Sequence, residues 1–106
     1  MVARGEVWLV ALDPTIEREI QKTRPCLVVS PPEISNHLRT VLVAPMTTGS
    51  HPAPFRAQVR FGGKSGLILL EQLRAIDTTR LAKRLGAVDD KTLAQSLSIL
   101  QAMFAP

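Results

Sequence analysis

One hundred and six residues, 45% of them hydrophobic, suffice for a single domain with one core, and a chain this small gains from a partner subunit. Apolar runs of about six residues fall well short of the roughly twenty that span a bilayer, and the opening MVARGEV lacks the apolar stretch and small-residue cleavage site of a secretory signal, so a cytoplasmic protein without membrane attachment is expected. Thirteen Lys and Arg against nine Asp and Glu give a net charge of +4, a prior for a polyanionic partner, and a single cysteine excludes an intrachain disulfide and a cysteine metal cluster.

The first strand is expected over Glu6 to Leu12, where VWLVAL is too apolar to be anything but buried. Asp13 to Thr23, DPTIEREIQKT, then leads to a second apolar run, Cys26 to Ser30. Neighbouring strands in a small domain are usually joined by about two to five residues. A connection this long is either disordered or functional, and Glu17, Arg18, Glu19, Lys22 and Arg24 point to function. Pro25 holds Arg24 out of the helical region and begins the second strand, Pro25 to Ser30. Pro31 to His37 reads as a turn into one helical turn, and Thr40 to Met46 as a third strand.

Phe55 to Phe61 carries the clearest pattern: Phe55, Ala57, Val59 and Phe61 alternate with Arg56, Gln58 and Arg60, as in a half-buried antiparallel strand with a basic outer face. Gly62 and Gly63 turn the chain, Gly66 to Leu70 adds a strand, and Arg84 to Val88 a short last one. Leu93, Leu97, Leu100 and Phe104 then mark one face of a helix, capped by Asp89 or Asp90. The fold class is therefore mainly β with helix (α+β): a small, curved antiparallel sheet of about five or more strands with a C-terminal α-helix packed on it. An SH3-like barrel is its natural closed form.

Several residues have chemistry to offer, each with a plainer alternative. Arg24, fixed beside a proline, suits a phosphate as well as it suits a surface ion pair with Glu17 or Glu19. Thr47 and Thr48, followed by Gly49 and Ser50, could bond phosphate oxygens or simply make a turn. Glu71 and Gln72 interrupt an apolar run and could read base edges or pair with Arg74 and Lys83. Cys26 reads as a small buried hydrophobe, and His37 and His51 as solvated loop residues without the companions of a metal site. With one Trp, three Phe and no Tyr, contact with nucleic acid would rest on charge and hydrogen bonds rather than stacking.

Taken in order, RGEVWLVALDPT, the E-x-x-K-T-R-P step before CLVVSP, TVLVAPMTT and GLILLEQLRAID resemble the MazF/PemK family of toxin endoribonucleases along nearly the whole chain. The resemblance implies one toxin domain over residues 1–106, an SH3-like barrel of the CcdB/MazF toxin type, a homodimer, and cleavage of single-stranded RNA, mainly mRNA, under control of a cognate antitoxin. It assigns catalysis to Arg24 and Thr47, with the acidic loop residue on Glu19 and the acidic residue before glutamine on Glu71. Arg18, Lys22, Thr48, Arg56, Glu71, Gln72 and Arg74 are the candidate RNA-binding residues, and no metal or cofactor is expected. Two positions depart from common family patterns: Arg18 stands where some members have a histidine, and Leu69 where some PemK-like members place an arginine. The competing readings are a gyrase-binding toxin of the same fold, like CcdB, and a module that binds RNA without cutting it.

Overall fold

The computed structural model describes residues 2–12 and 23–106. Within them one antiparallel sheet is built from β1 (Glu6–Ala11), β2 (Thr23–Val28), β3 (Thr40–Thr47), β4 (Arg56–Phe61), β5 (Lys64–Leu69), β6 (Arg74–Asp77) and β7 (Leu81–Ala87). Its order is β4-β5-β3-β2-β1-β7, with β6 paired to β3 off this path. Helix α1 (Pro32–Leu38) follows β2, and α2 (Asp90–Phe104) closes the described chain. The strands at the two ends of the path approach each other, since a methyl added at Gly86 of β7 would lie 3.2 Å from the Phe61 ring of β4. The sheet is thus curled into a half-barrel, as the sequence implied.

Alternation along the strands gives the sheet two apolar faces. The inner one gathers Val7, Leu27, Ala44, Met46, Ala57, Val59 and Ile68, closed by Leu97, Ile99 and Leu100 of α2. The other gathers Val10, Cys26, Val28, Val41, Val43 and Ile76, with Trp8 beside them. Gly62 and Gly63, both at positive φ, form the two-residue turn between Phe61 and its partner Lys64. Positive φ at both positions matches the twist of the flanking strands, and glycine adopts it without steric cost. At α2 the choice between two caps falls on Asp89, whose carboxylate accepts the Thr92 N–H at 2.8 Å.

Four expectations need correction. Strand β2 begins at Thr23, so Arg24 and Pro25 lie inside it, paired with Val10 and Leu9. Helix α1 runs for seven residues rather than one turn, because Ser35 is buried and bonded to Ser30 while Pro32 starts the helix without losing a needed N–H. Phe55 precedes β4 and is 38% exposed, and Phe104 at the end of α2 is 72% exposed, so neither joins the core their spacing suggested. His37 lies within α1 and not in a loop, whereas Glu71 and Gln72, in the 3-10 turn Leu70–Gln72, follow the end of β5 as expected. Strand β6 was missed outright; only Ile76 of its four residues is buried, too little to leave a pattern in the sequence.

Candidate functional site

The site begins where two strands part. β2 and β3 pair from Val28↔Val43 to Cys26↔Pro45 and no further. Proline has no N–H to donate, and here prolines stand at both positions 25 and 45, so the ladder stops. β3 then changes partner. It pairs with β6 over Thr40 to Val43 and with β5 over Met46 and Thr47. A cleft opens between the diverging ends, and continuing the Cys26↔Pro45 register by two residues sets Arg24 across from Thr47. The two residues share that cleft, since both line the cavities found there.

Arg24 and Thr47 line two adjoining cavities. One, of about 360 Å³, has Leu12, Pro45 and Leu69 as an apolar floor and Arg24, Thr47, Ser50, Gln72 and Arg74 as its polar wall. The second, of about 310 Å³, continues on the other side of the same pair and adds Thr48 and Lys64. Thr47 Oγ1 accepts the Gly49 N–H at 3.2 Å, so its own proton can be given to a bound oxygen. The turn chemistry and the donor chemistry expected of this threonine are therefore compatible. Arg74, opposite Val43, brings a second guanidinium to the same face. Cys26 registers both cations: burial pushes its thiol up to about 12, while the charges of Arg24 and Arg74 pull the other way. At that value the thiol stays protonated and is no nucleophile at neutral pH.

Glu71 is partnered by Arg56, whose Nη2 donates to Oε2 at 2.6 Å and Nε to the same oxygen at 3.1 Å. Those hydrogen bonds hold the Glu71 carboxyl below its ordinary range. Arg56 also stands directly across from Leu69 of β5. Glu19, Arg18 and Lys22 lie outside the described residues. Among the described residues no group of three or more His, Cys, Asp and Glu side chains is arranged to hold a metal ion, and no helix is long and apolar enough to cross a membrane.

One contributor had no functional reading in the sequence. A Cβ built on Gly66 would sit 2.5 Å from the Thr47 carbonyl oxygen, so only glycine lets β5 come this close to the end of β3. A glycine inside an apolar strand run was the available signal.

Residues 3–104 match the model of the family described as PemK-like, MazF-like toxin of type II toxin-antitoxin system. The chain belongs to that family. Among its relatives the Escherichia coli protein named endoribonuclease PemK is 37% identical over 103 residues, covering 92% of this chain and 77% of that one. The fold is shared with a MazE-MazF crystal structure from Deinococcus radiodurans, at a TM-score of 0.83 and 24% identity over 96% of this chain and 94% of the other. It is shared equally with a mycobacterial endoribonuclease solved in complex with its cognate antitoxin, at a TM-score of 0.82 and 19% identity over 100% and 98%. This PemK/MazF-family chain thus has the half-barrel of those solved structures.

Proposed function

We propose that this toxin is a sequence-specific endoribonuclease that cuts single-stranded RNA, chiefly mRNA, in the cytoplasm, and that an acidic antitoxin holds it in check. The observation that carries the reading is the cleft between β2 and β3, with Arg24 and Thr47 on its walls and Arg74 and Gln72 beside them. In the proposed reaction the RNA's own 2′-hydroxyl attacks the adjacent phosphorus. The bond from O2′ to phosphorus forms, the bond to O5′ breaks, and a 2′,3′-cyclic phosphate and a 5′-hydroxyl result. Arg24 offsets the charge growing on the phosphoryl oxygens and Thr47 donates to one of them, an electrostatic role that is often the largest catalytic term. Arginine keeps its proton up to a pKa above about 12 and makes a poor base, so Glu19 takes the 2′ proton. The 5′-oxygen takes a proton from water as it leaves, and Glu19 returns its proton to solvent. Arg18, Lys22, Thr48 and Arg74 contact the strand's phosphates, Gln72 reads a base edge, and the Arg56–Glu71 pair borders the track. The chemistry uses neither metal nor cofactor.

Incubation of the purified protein with a long RNA in EDTA should yield discrete fragments ending in cyclic phosphate, while a DNA of the same sequence stays whole. Intact RNA together with binding to gyrase would return the CcdB-like reading. RNA bound but uncut would leave a binding module.

A homodimer is also part of the proposal. Phe55, Ile99 and Met103 line a shallow, largely apolar groove of about 320 Å³ beside the exposed Phe104, a surface suited to a second copy of the chain. Light scattering at micromolar concentration showing only an 11.6 kDa species would count against it. An acidic antitoxin segment and RNA should compete for the basic face, and both should bind more weakly as salt rises. RNA binding unchanged under saturating antitoxin would end the shared-surface idea.

A further inference from the structure

Arg56 was read from the sequence as one more cation for RNA, but its guanidinium is already occupied in a specific way. Nη2 and Nε both donate to Glu71 Oε2, at 2.6 and 3.1 Å, and Nη1 donates to the His51 carbonyl at 3.0 Å. Its side chain is only 20% exposed and that of Glu71 27%. The guanidinium carbon also lies over the Phe55 ring, 5.8 Å from its centre. An isolated surface ion pair contributes little. A rigid planar fork that spans two separate segments fixes their spacing instead.

Those two segments are walls of the candidate site. His51 belongs to the connection between β3 and β4 that also holds Gly49 and Ser50, and Glu71 adjoins Gln72; Gly49, Ser50 and Gln72 all line the larger cavity. We propose that Arg56 is a positioning residue: it clasps the 48–53 connection to the 70–72 turn, so that Ser50 and Gln72 meet the nucleotide beside the cut phosphate at a fixed separation. Arg56 then acts through its neighbours and makes no phosphate contact of its own. The inference rests on the endoribonuclease reading, and it concerns how that enzyme selects and aligns RNA.

Lysine keeps the charge of Arg56 but cannot reach both the Glu71 carboxylate and the His51 carbonyl with one ammonium group. Arg56→Lys and Glu71→Gln should each lower kcat about 10–100-fold, the scale of a misplaced substrate, with KM little changed and relaxed base preference next to the cut. The double variant should be no worse than the weaker single, because both remove one clasp. The dependence of RNA affinity on salt should keep its wild-type slope. A slope shallower by about one, with KM raised and base preference intact, would make Arg56 a phosphate contact and overturn the proposal. So would wild-type kcat and preference in both variants. Hydrogen exchange provides a readout that needs no RNA: in Arg56→Lys the amides of 48–53 and of 70–72 should exchange faster together, and unchanged exchange in both segments would overturn the clasp. Wild-type protein that leaves RNA whole would refute the functional reading instead, with exchange still deciding the clasp.

Discussion

Arg24 and Thr47, the pair proposed to carry catalysis, are residues with little structural burden. Arg24 is exposed and Thr47 half-buried at strand ends, and surface changes away from caps and cores alter stability by only about 0.5 kcal/mol. Loss of a preorganised donor to a phosphoryl oxygen costs on the order of a hundredfold in rate or more. Arg24→Ala and Thr47→Ala should therefore melt near the wild-type temperature yet fail to cut RNA, and Arg24→Lys should recover little because the fork is gone. Single-turnover cleavage beside thermal melts checks both halves. Gly66 is the contrasting case. An added methyl group at 2.5 Å from the Thr47 carbonyl must push backbone, not a flexible side chain. Gly66→Ala should lower kcat through a displaced Thr47 and lower the melting temperature as well, a joint loss that neither site variant shows.

At the scale of elements, partner exchange along β3 makes the site. Thr40 to Val43 serve β6, Met46 and Thr47 serve β5, and the prolines at 25 and 45 let β2 go once β3 has passed Pro45. The pattern of apolar residues gave the existence of these strands; it could not give the exchange, because pairing is settled by which neighbours are at hand. Helix α1 is tied to β3 by a small buried polar cluster. Ser30 Oγ accepts the Leu42 N–H at 3.1 Å and lies 2.9 Å from Ser35 Oγ. Ser30→Ala would leave a poorly solvated N–H without its acceptor, for a loss of about 1–3 kcal/mol. Urea denaturation should show this as a lower midpoint with an unchanged slope. Ser96, by contrast, bonds back to the Thr92 carbonyl within α2, which is how a buried serine fits among the leucines of that helix.

Across the whole molecule, two carboxylates tie distant parts of the chain together. Glu71 holds Arg56, and Glu6 accepts from Trp8 Nε1 at 3.0 Å and Arg84 Nε at 2.9 Å, joining β1 to β7. Burial alone would raise the Glu6 carboxyl, but the hydrogen bonds from Ala3, Trp8 and Arg84 outweigh it, and both groups lie below their ordinary value of 4.5. A carboxyl with a lowered native pKa adds stability that is fully present above the unfolded value and vanishes as pH falls through the native one. Melting temperature should therefore be level between about pH 7 and 5 and fall below about 4.5, and Glu6→Gln should flatten that acid limb. An acid limb unchanged by the substitution would remove Glu6 from this role.

The sequence by itself determined the class of the molecule. Period-two runs, paired glycines and a leucine-marked helix specify a curled antiparallel sheet with α2 upon it, and ordered motifs from RGEVWLV to EQLRAID specify the family, because local propensity and side-chain alternation are written residue by residue. Tertiary structure alone decided which groups meet. It brought Arg24 and Thr47 to the lining of the same cavities, joined Glu71 to Arg56, and left Phe55 and Phe104 outside the core. These outcomes depend on strand register, on where prolines end a ladder and on the curl of the sheet, quantities shared between distant segments that no window of the sequence contains.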